Sequence, residues 1–327
     1  MRRSSIKYSQ TGLVGLLLPV IVIILIAGIG FFVWQKSSGS QPLSLNKETT
    51  STGKEAWTEE GVVLAGKYAD ADIVDVGGGK FRMYYSAEPE TAGFQGQVYS
   101  AISSDGVKWT EESGTRITQA IFPSVIKLDD GRFRMYFQEQ QSIKSAISTD
   151  GLAWTKEEGI RIDTSNTAGL TLTGVVAPTV IKSGNGYLMV YGGVINQAYL
   201  EEKVPSKDTH LLMWATSKDG LTFEKKGIAL DSRNKVFKGW MDGPKLVIWD
   251  DNGVKLYLFG YFGIYESIFK NGGFSEPKFV FYGPNFDEKM LFPSDPPGDP
   301  TLIKIGKTWN MYYGYHTKGI YRATLNK

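Results

Sequence analysis

Four aspartates offer the sharpest chemistry in this chain. Asp70 and Asp72 stand in Tyr68-Ala69-Asp70-Ala71-Asp72, Asp242 in Trp240-Met241-Asp242-Gly243-Pro244, and Asp299 in Gly298-Asp299-Pro300-Thr301. Asp70 and Asp72 are two apart, so on an extended segment they share one face. Aromatic residues accompany them: Tyr68 and Trp240 within the same stretches, Tyr261 and Tyr315 in nearby loops. Carboxylates that converge on one spot can divide the work on a glycosidic bond, one as acid and the other as base or nucleophile, while aromatic faces stack on sugar rings. The competing reading is structural, because an Asp at a strand start also binds backbone N–H groups and caps a turn. Glu139 is a substitute acid or a rim charge. His316 is a sugar or metal contact or a solvated loop histidine.

The elements that must position these residues are announced by repetition. In its clearest copy the pattern runs Pro123-Ser124-Val125-Ile126, Asp129-Asp130-Gly131-Arg132, Phe133-Arg134-Met135-Tyr136-Phe137, and then Ser148-Thr149-Asp150-Gly151-Leu152-Ala153-Trp154. An apolar run, a Gly turn, an aromatic strand and a second Gly turn describe one small antiparallel sheet. The opening proline recurs as Pro178, Pro244 and Pro300, and the second half as Ser103 to Trp109 and Ser217 to Phe223. A period of roughly fifty to sixty residues without a 3.6-residue apolar rhythm predicts four-stranded propeller blades rather than helical repeats. The fifth copy ends after three strands, at Gly319 to Leu325, while Trp57-Thr58-Glu59-Glu60-Gly61 matches the outermost-strand segment Trp109-Thr110-Glu111-Glu112-Ser113-Gly114. The missing strand therefore sits at the start of the domain. Pairing it with the last copy closes a ring and removes open sheet edges. The fold predicted is all-β, a five-bladed β-propeller over residues 57–327, closed by an N-terminal outer strand.

In such a ring the start of each innermost strand and the end of its neighbour share one face, where ligands tend to bind. Asp70, Asp72, Asp242 and Asp299, with Tyr68, Trp240, Tyr261 and Tyr315, fall on that face, as do Glu139 and His316. A long excursion from Asn196 to His210 covers the mouth and sets specificity, or is a plain insertion. The Ser-x-Asp-Gly-x-x-Trp turns at Asp105, Asp150 and Asp219 (Phe223 replacing Trp) resemble the Asp-box hairpins of sialidases, and are expected to be structural.

The repeated opening, as in Asp299-Pro300-Thr301-Leu302-Ile303, with its Gly turn and Met-Tyr-Tyr strand, resembles the five-bladed arabinanase, levansucrase and invertase superfamily of glycoside hydrolases. The resemblance covers residues 57–327 at the level of blade pattern. It implies cleavage of pentose, fructose or related glycans at the channel mouth, with Asp70 as base or nucleophile and Asp72 as second choice. Asp242-Gly243-Pro244 resembles the acidic-Gly-Pro motif that supplies the acid, although the family residue is usually Glu and usually in the third blade. Asp299 is left as a pKa tuner or a ligand to a structural calcium ion in the channel. Phe122 and Ala177 stand where a carboxylate of the family is expected. The alternative is a non-catalytic propeller that binds carbohydrate or protein at the same mouth.

Residues 13–34, from Leu13 to Trp34, carry no charge and are long enough for a bilayer-spanning helix. The basic segment 1–12 before them predicts a cytoplasmic N-terminus and a single-pass anchor with the propeller outside. Residues 35–56 are polar and Ser/Thr-rich, a flexible linker. With no cysteine and two histidines, thiol catalysis is excluded and no metal site or required cofactor is expected from His and Cys. A net charge of +2 gives no reason to expect nucleic acid as a partner. A glycan and, through the helix, the membrane are the expected partners.

Overall fold

A computed structural model describes residues 56–87, 96–197, 208–282, 297–315 and 318–326. The basic segment, the apolar span 13–34, the linker up to residue 55, and His316 lie outside them. Among the described residues every regular element is a strand, and no helix is long and apolar enough to cross a membrane.

The first strand, β1 (Ala56–Ala65), belongs to the last blade. Blade one comprises β2 (Tyr68–Gly77), β3 (Lys80–Ala87), β4 (Gln97–Ser103) and β5 (Thr110–Thr118). Blade two comprises β6 (Ile121–Lys127), β7 (Phe133–Glu139), β8 (Ser142–Ser148) and the short β9 (Thr155–Lys156). Blade three comprises β10 (Gly174–Ser183), β11 (Gly186–Ile195), β12 (Thr209–Ser217) and β13 (Glu224–Leu230). Blade four has five strands: β14 (Asp242–Ile248), β15 (Val254–Gly260), β16 (Gly263–Lys270), β17 (Gly273–Phe274) and β18 (Lys278–Phe281), the last two both pairing β16. Blade five holds β19 (Gly298–Ile305), β20 (Thr308–Tyr315) and β21 (Gly319–Asn326), and its fourth position is filled by β1 antiparallel to β21. The inner strands β2, β6, β10, β14 and β19 pack in a closed circle. The predicted five-bladed ring and its N-terminal closure are both present.

Two belts explain why the sequence repeats. Near the axis, the residue two places after each bulge reaches the next blade. Val125 N donates to Asp72 Oδ2 at 2.5 Å, Val180 N to Ser124 Oγ at 3.1 Å, and Leu246 N to Thr179 Oγ1 at 3.0 Å. In blade four the equivalent residue is Lys245, a donor, and it crosses to Asp72 Oδ1; Thr301 Oγ1 reaches the same oxygen at 3.2 Å. At the opposite ends of the strands the Ser-x-Asp-Gly turns act as latches. Asp105 Oδ1 accepts from the amides of Val107 and Lys108 at 2.8 and 2.9 Å, and Asp150 and Asp219 repeat this arrangement. The glycine carbonyls then receive tyrosines of the neighbouring blade: Tyr84 to Gly151 at 2.8 Å, Tyr136 to Gly220 at 2.8 Å, and Tyr312 to Gly106 at 2.7 Å. Trp154, Phe223 and Trp109 pack edge-on against those same tyrosines. The turns are structural, as their sequence predicts.

Candidate active site at the channel mouth

Each inner strand opens with the same irregularity. Its register with the second strand shifts, in blade one between Ala69 and Asp72 and in the others at the equivalent place. Inside the bulge stands one residue in the left-handed region: Asp70 (φ 56), Phe122 (φ 53), Ala177 (φ 45), Gly243 (φ 54) and Asp299 (φ 48). Glycine enters that region freely and aspartate readily, whereas other side chains meet a cost of roughly 1–2 kcal/mol. In blades two to five a proline follows directly: Pro123, Pro178, Pro244 and Pro300. All five bulge residues line a single depression at the channel mouth, together with Asp72, Ser124, Thr179 and Lys245.

This alignment revises the expected constellation. Asp70 and Asp299 are equivalent, on neighbouring blades, each about 6% exposed. Asp242 is one place earlier: Gly243 holds the bulge position of blade four, and Asp242 is not among the residues lining the depression. Instead Asp242 Oδ1 accepts from Gly243 N at 2.9 Å, and Oδ2 lies 3.2 Å from Nδ1 of His210, at the start of β12 in blade three. Asp242 therefore orients an imidazole at the seam between two blades. Asp72 lines the depression, but both its oxygens are engaged by Val125 N–H, Lys245 and Thr301, which makes it a structural member of the axial belt.

The aromatic and rim residues divide in the same way. Tyr68 is partly exposed, tilted against Tyr85 with centroids 4.7 Å apart and 3.4 Å from Glu111 Oε2; burial, reinforced by Glu111, raises its pKa and keeps it neutral. Trp240 and Tyr261 are partly buried and pack together at 5.0 Å, and burial pushes the Tyr261 hydroxyl up to about 12. Tyr315, expected to meet a ligand, is instead fully buried in the core against Tyr313 and Tyr321, because its ring faces the layer between blades. Glu139 lies between Lys144 Nζ, at 2.6 Å, and Lys156 Nζ. Partial burial raises its pKa, but the two lysines outweigh that and hold it below the usual carboxylate range, so Glu139 is a poor proton donor.

For a calcium ion, a set of oxygen ligands must converge. Among the described residues no group of three or more acidic or histidine side chains does so, and Asp299 Oδ1 leans over Gly243 of blade four. The sequence reading missed the pairing of His210 with Asp242, residues 32 apart, which no local motif announces. It also missed the five-fold bulge, although the prolines mark its position. The resulting mouth has an acidic arc, Asp299 and Asp70, facing an apolar arc, Phe122 and Ala177.

No protein-family model matches the sequence, and no curated protein does. Solved structures share the architecture. A structure from the GH130 family of mannoside phosphorylases, which contains glycoside hydrolases targeting β-1,2 mannosidic linkages in Candida mannan, is 13% identical, covers 79% of this chain and 84% of its own, and superposes with a TM-score of 0.59. A glycosyl hydrolase from Bacteroides ovatus is 13% identical over 79% of this chain and 84% of its own, with a TM-score of 0.58. A sucrose-6-phosphate hydrolase from Lactobacillus gasseri is 12% identical over 85% of this chain and 62% of its own, with a TM-score of 0.57. The chain has the five-bladed fold of these glycoside hydrolases.

Proposed function

We propose that the propeller acts on a glycan at the channel mouth as a glycoside hydrolase. The observation that carries this reading is the pair Asp70 and Asp299, two carboxylates at equivalent bulges of adjacent blades within one depression. Asp70 serves as base or nucleophile, as the family resemblance implies. The acid role passes from Asp242 to Asp299, because Asp299 lines the depression and Asp242 is committed to His210. Asp299 protonates the leaving oxygen while Asp70 either attacks the anomeric carbon or deprotonates a water that does so. Two-carboxylate hydrolysis needs no cofactor. Tyr68, Trp240 and Tyr261 extend the rim for further sugar units. The fold shared with glycoside hydrolases supports the reaction class, and the uncharged run 13–34 after a basic start supports a membrane-anchored chain with its propeller on the extracytoplasmic side.

The test is reducing-sugar release from arabinan, xylan, fructan and mannan by the full chain, with Asp70→Asn alongside. Release that disappears in the variant supports the hydrolase. A second reading, a binding propeller without turnover, is favoured by Phe122 and Ala177 at bulge positions where the family carries carboxylates. Retention on a polysaccharide without release would select it.

A further inference from the structure

The five bulge positions are equivalent in backbone, yet only one carries a large ring. Asp70, Gly243 and Asp299 are residue types suited to a left-handed conformation, and Ala177 is small. Phe122 is neither suited nor small, and for a bulky residue this conformation is an outlier. Its backbone is held from the preceding blade, with Phe122 N donating to Ser86 Oγ at 3.2 Å. Its ring, however, joins none of the buried apolar clusters, and the core of blade two is built from Val125, Phe133, Met135 and Phe137. Phe122 is partly exposed and lines the same depression as the bulge carboxylates Asp70 and Asp299, with the small Ala177 at the equivalent place of the following blade. A ring kept in a costly conformation, outside the core and at the wall of a cleft, is suited to a ligand rather than to folding.

We propose that Phe122 is a specificity-determining platform, on which the apolar C–H face of one sugar ring lies while its hydroxyl edge turns toward Asp70 and Asp299. The inference rests on the glycan reading and narrows it. Stacking removes apolar area of both rings from water. It also selects sugars that present one continuous C–H face, since a hydroxyl projecting from that face would hold the rings apart. The arrangement has a consequence that runs against the usual direction of mutation. Replacing Phe122 by glycine relieves the left-handed backbone while removing the platform, so folding and binding should move in opposite directions.

The experiment uses the full chain, its Phe122→Gly variant and its Phe122→Trp variant, with arabinan, xylan, fructan and mannan as probes in affinity electrophoresis, and thermal unfolding in parallel. The expected result is retention of the wild type by at least one polysaccharide, a loss of about tenfold or more in affinity for Phe122→Gly, an unfolding temperature at or above wild type, and binding maintained in Phe122→Trp. Undiminished binding by Phe122→Gly overturns the assignment and leaves the glycan reading standing. A marked fall in its unfolding temperature shows that the ring is a packing element, and also overturns it. A wild type retained by none of the four overturns the glycan reading and this assignment together.

Discussion

The carboxylate of Asp299 occupies the space that a side chain on Gly243 would need: a methyl carbon there would stand 2.5 Å from Asp299 Oδ1 and 2.7 Å from the ring of Phe259. Blade five's carboxylate is thus seated by the absence of a side chain in blade four. Gly243→Ala should cost about 1–3 kcal/mol, from the left-handed φ and the clash. It should also lower turnover about a hundredfold by displacing Asp299. Chemical denaturation and sugar release measure the two effects. A folded Gly243→Ala protein with wild-type turnover would remove Asp299 from the mechanism.

Asparagine accepts the left-handed region as readily as aspartate, so Asp70→Asn and Asp299→Asn should fold normally. Each should nevertheless lose a factor of about 10²–10⁴ in rate, the usual worth of a positioned acid or base. Asp242→Asn, which leaves the depression's lining intact, should lose far less. Initial rates on the released sugar check the order, and an inverted order would return the acid role to Asp242.

Asp72 and Lys245 join blades one and four across the axis, with side chains 3% and 15% exposed. Asp72→Ala strands the lysine and removes the acceptor for Val125 N–H, which should destabilise the protein by about 3–5 kcal/mol. The double variant Asp72→Asn, Lys245→Met removes both charges and keeps an acceptor oxygen, so it should recover most of that loss. Urea unfolding of the two variants decides, and equal losses would show that charge is not what the pair contributes.

The latch aspartates should confer acid sensitivity. The amides of Thr222 and Leu221 hold Asp219 down at about 2, and Lys225 with Ser165 holds Asp163 there as well. These values lie below the ordinary carboxylate value of about 3.9. Their contribution is therefore complete above about pH 4 and fades as the pH falls through about 2. Asp219→Asn should be less stable than wild type at neutral pH, with the gap closing between about pH 4 and 2. Thermal melts at pH 7, 4 and 2 provide the comparison; a gap that persists at pH 2 would assign the effect to something other than the carboxylate's charge.

Much of the architecture was legible because it is written locally and five times. The Gly turns, the Met-Tyr strands and the Ser-x-Asp-Gly latches each depend on residues within one blade, and the surplus strand at Trp57 exposed the ring closure. The site was less legible because its meaning depends on a one-residue register. Asp242 precedes Pro244 by two places and Asp299 precedes Pro300 by one, so the same bulge turns one aspartate to the mouth and the other to His210. Counting back from the prolines would have revealed the offset. The burial of Tyr315, the engagement of Asp72 and the partnership of Glu139 with two lysines all rest on contacts between strands, which no single stretch of sequence records.

The closing strand imposes an order on assembly. Ala56 pairs with Asn326 and Ala65 with Gly319, so β1 is among the first described segments to be synthesised and its partner is the last. Until β21 exists, β1 offers an unsatisfied edge and blade five cannot complete its sheet. The ring therefore cannot ratchet shut blade by blade. Blade five is completed only once β21 is made, and a chain interrupted before it leaves β1 with an unpaired, adhesive edge.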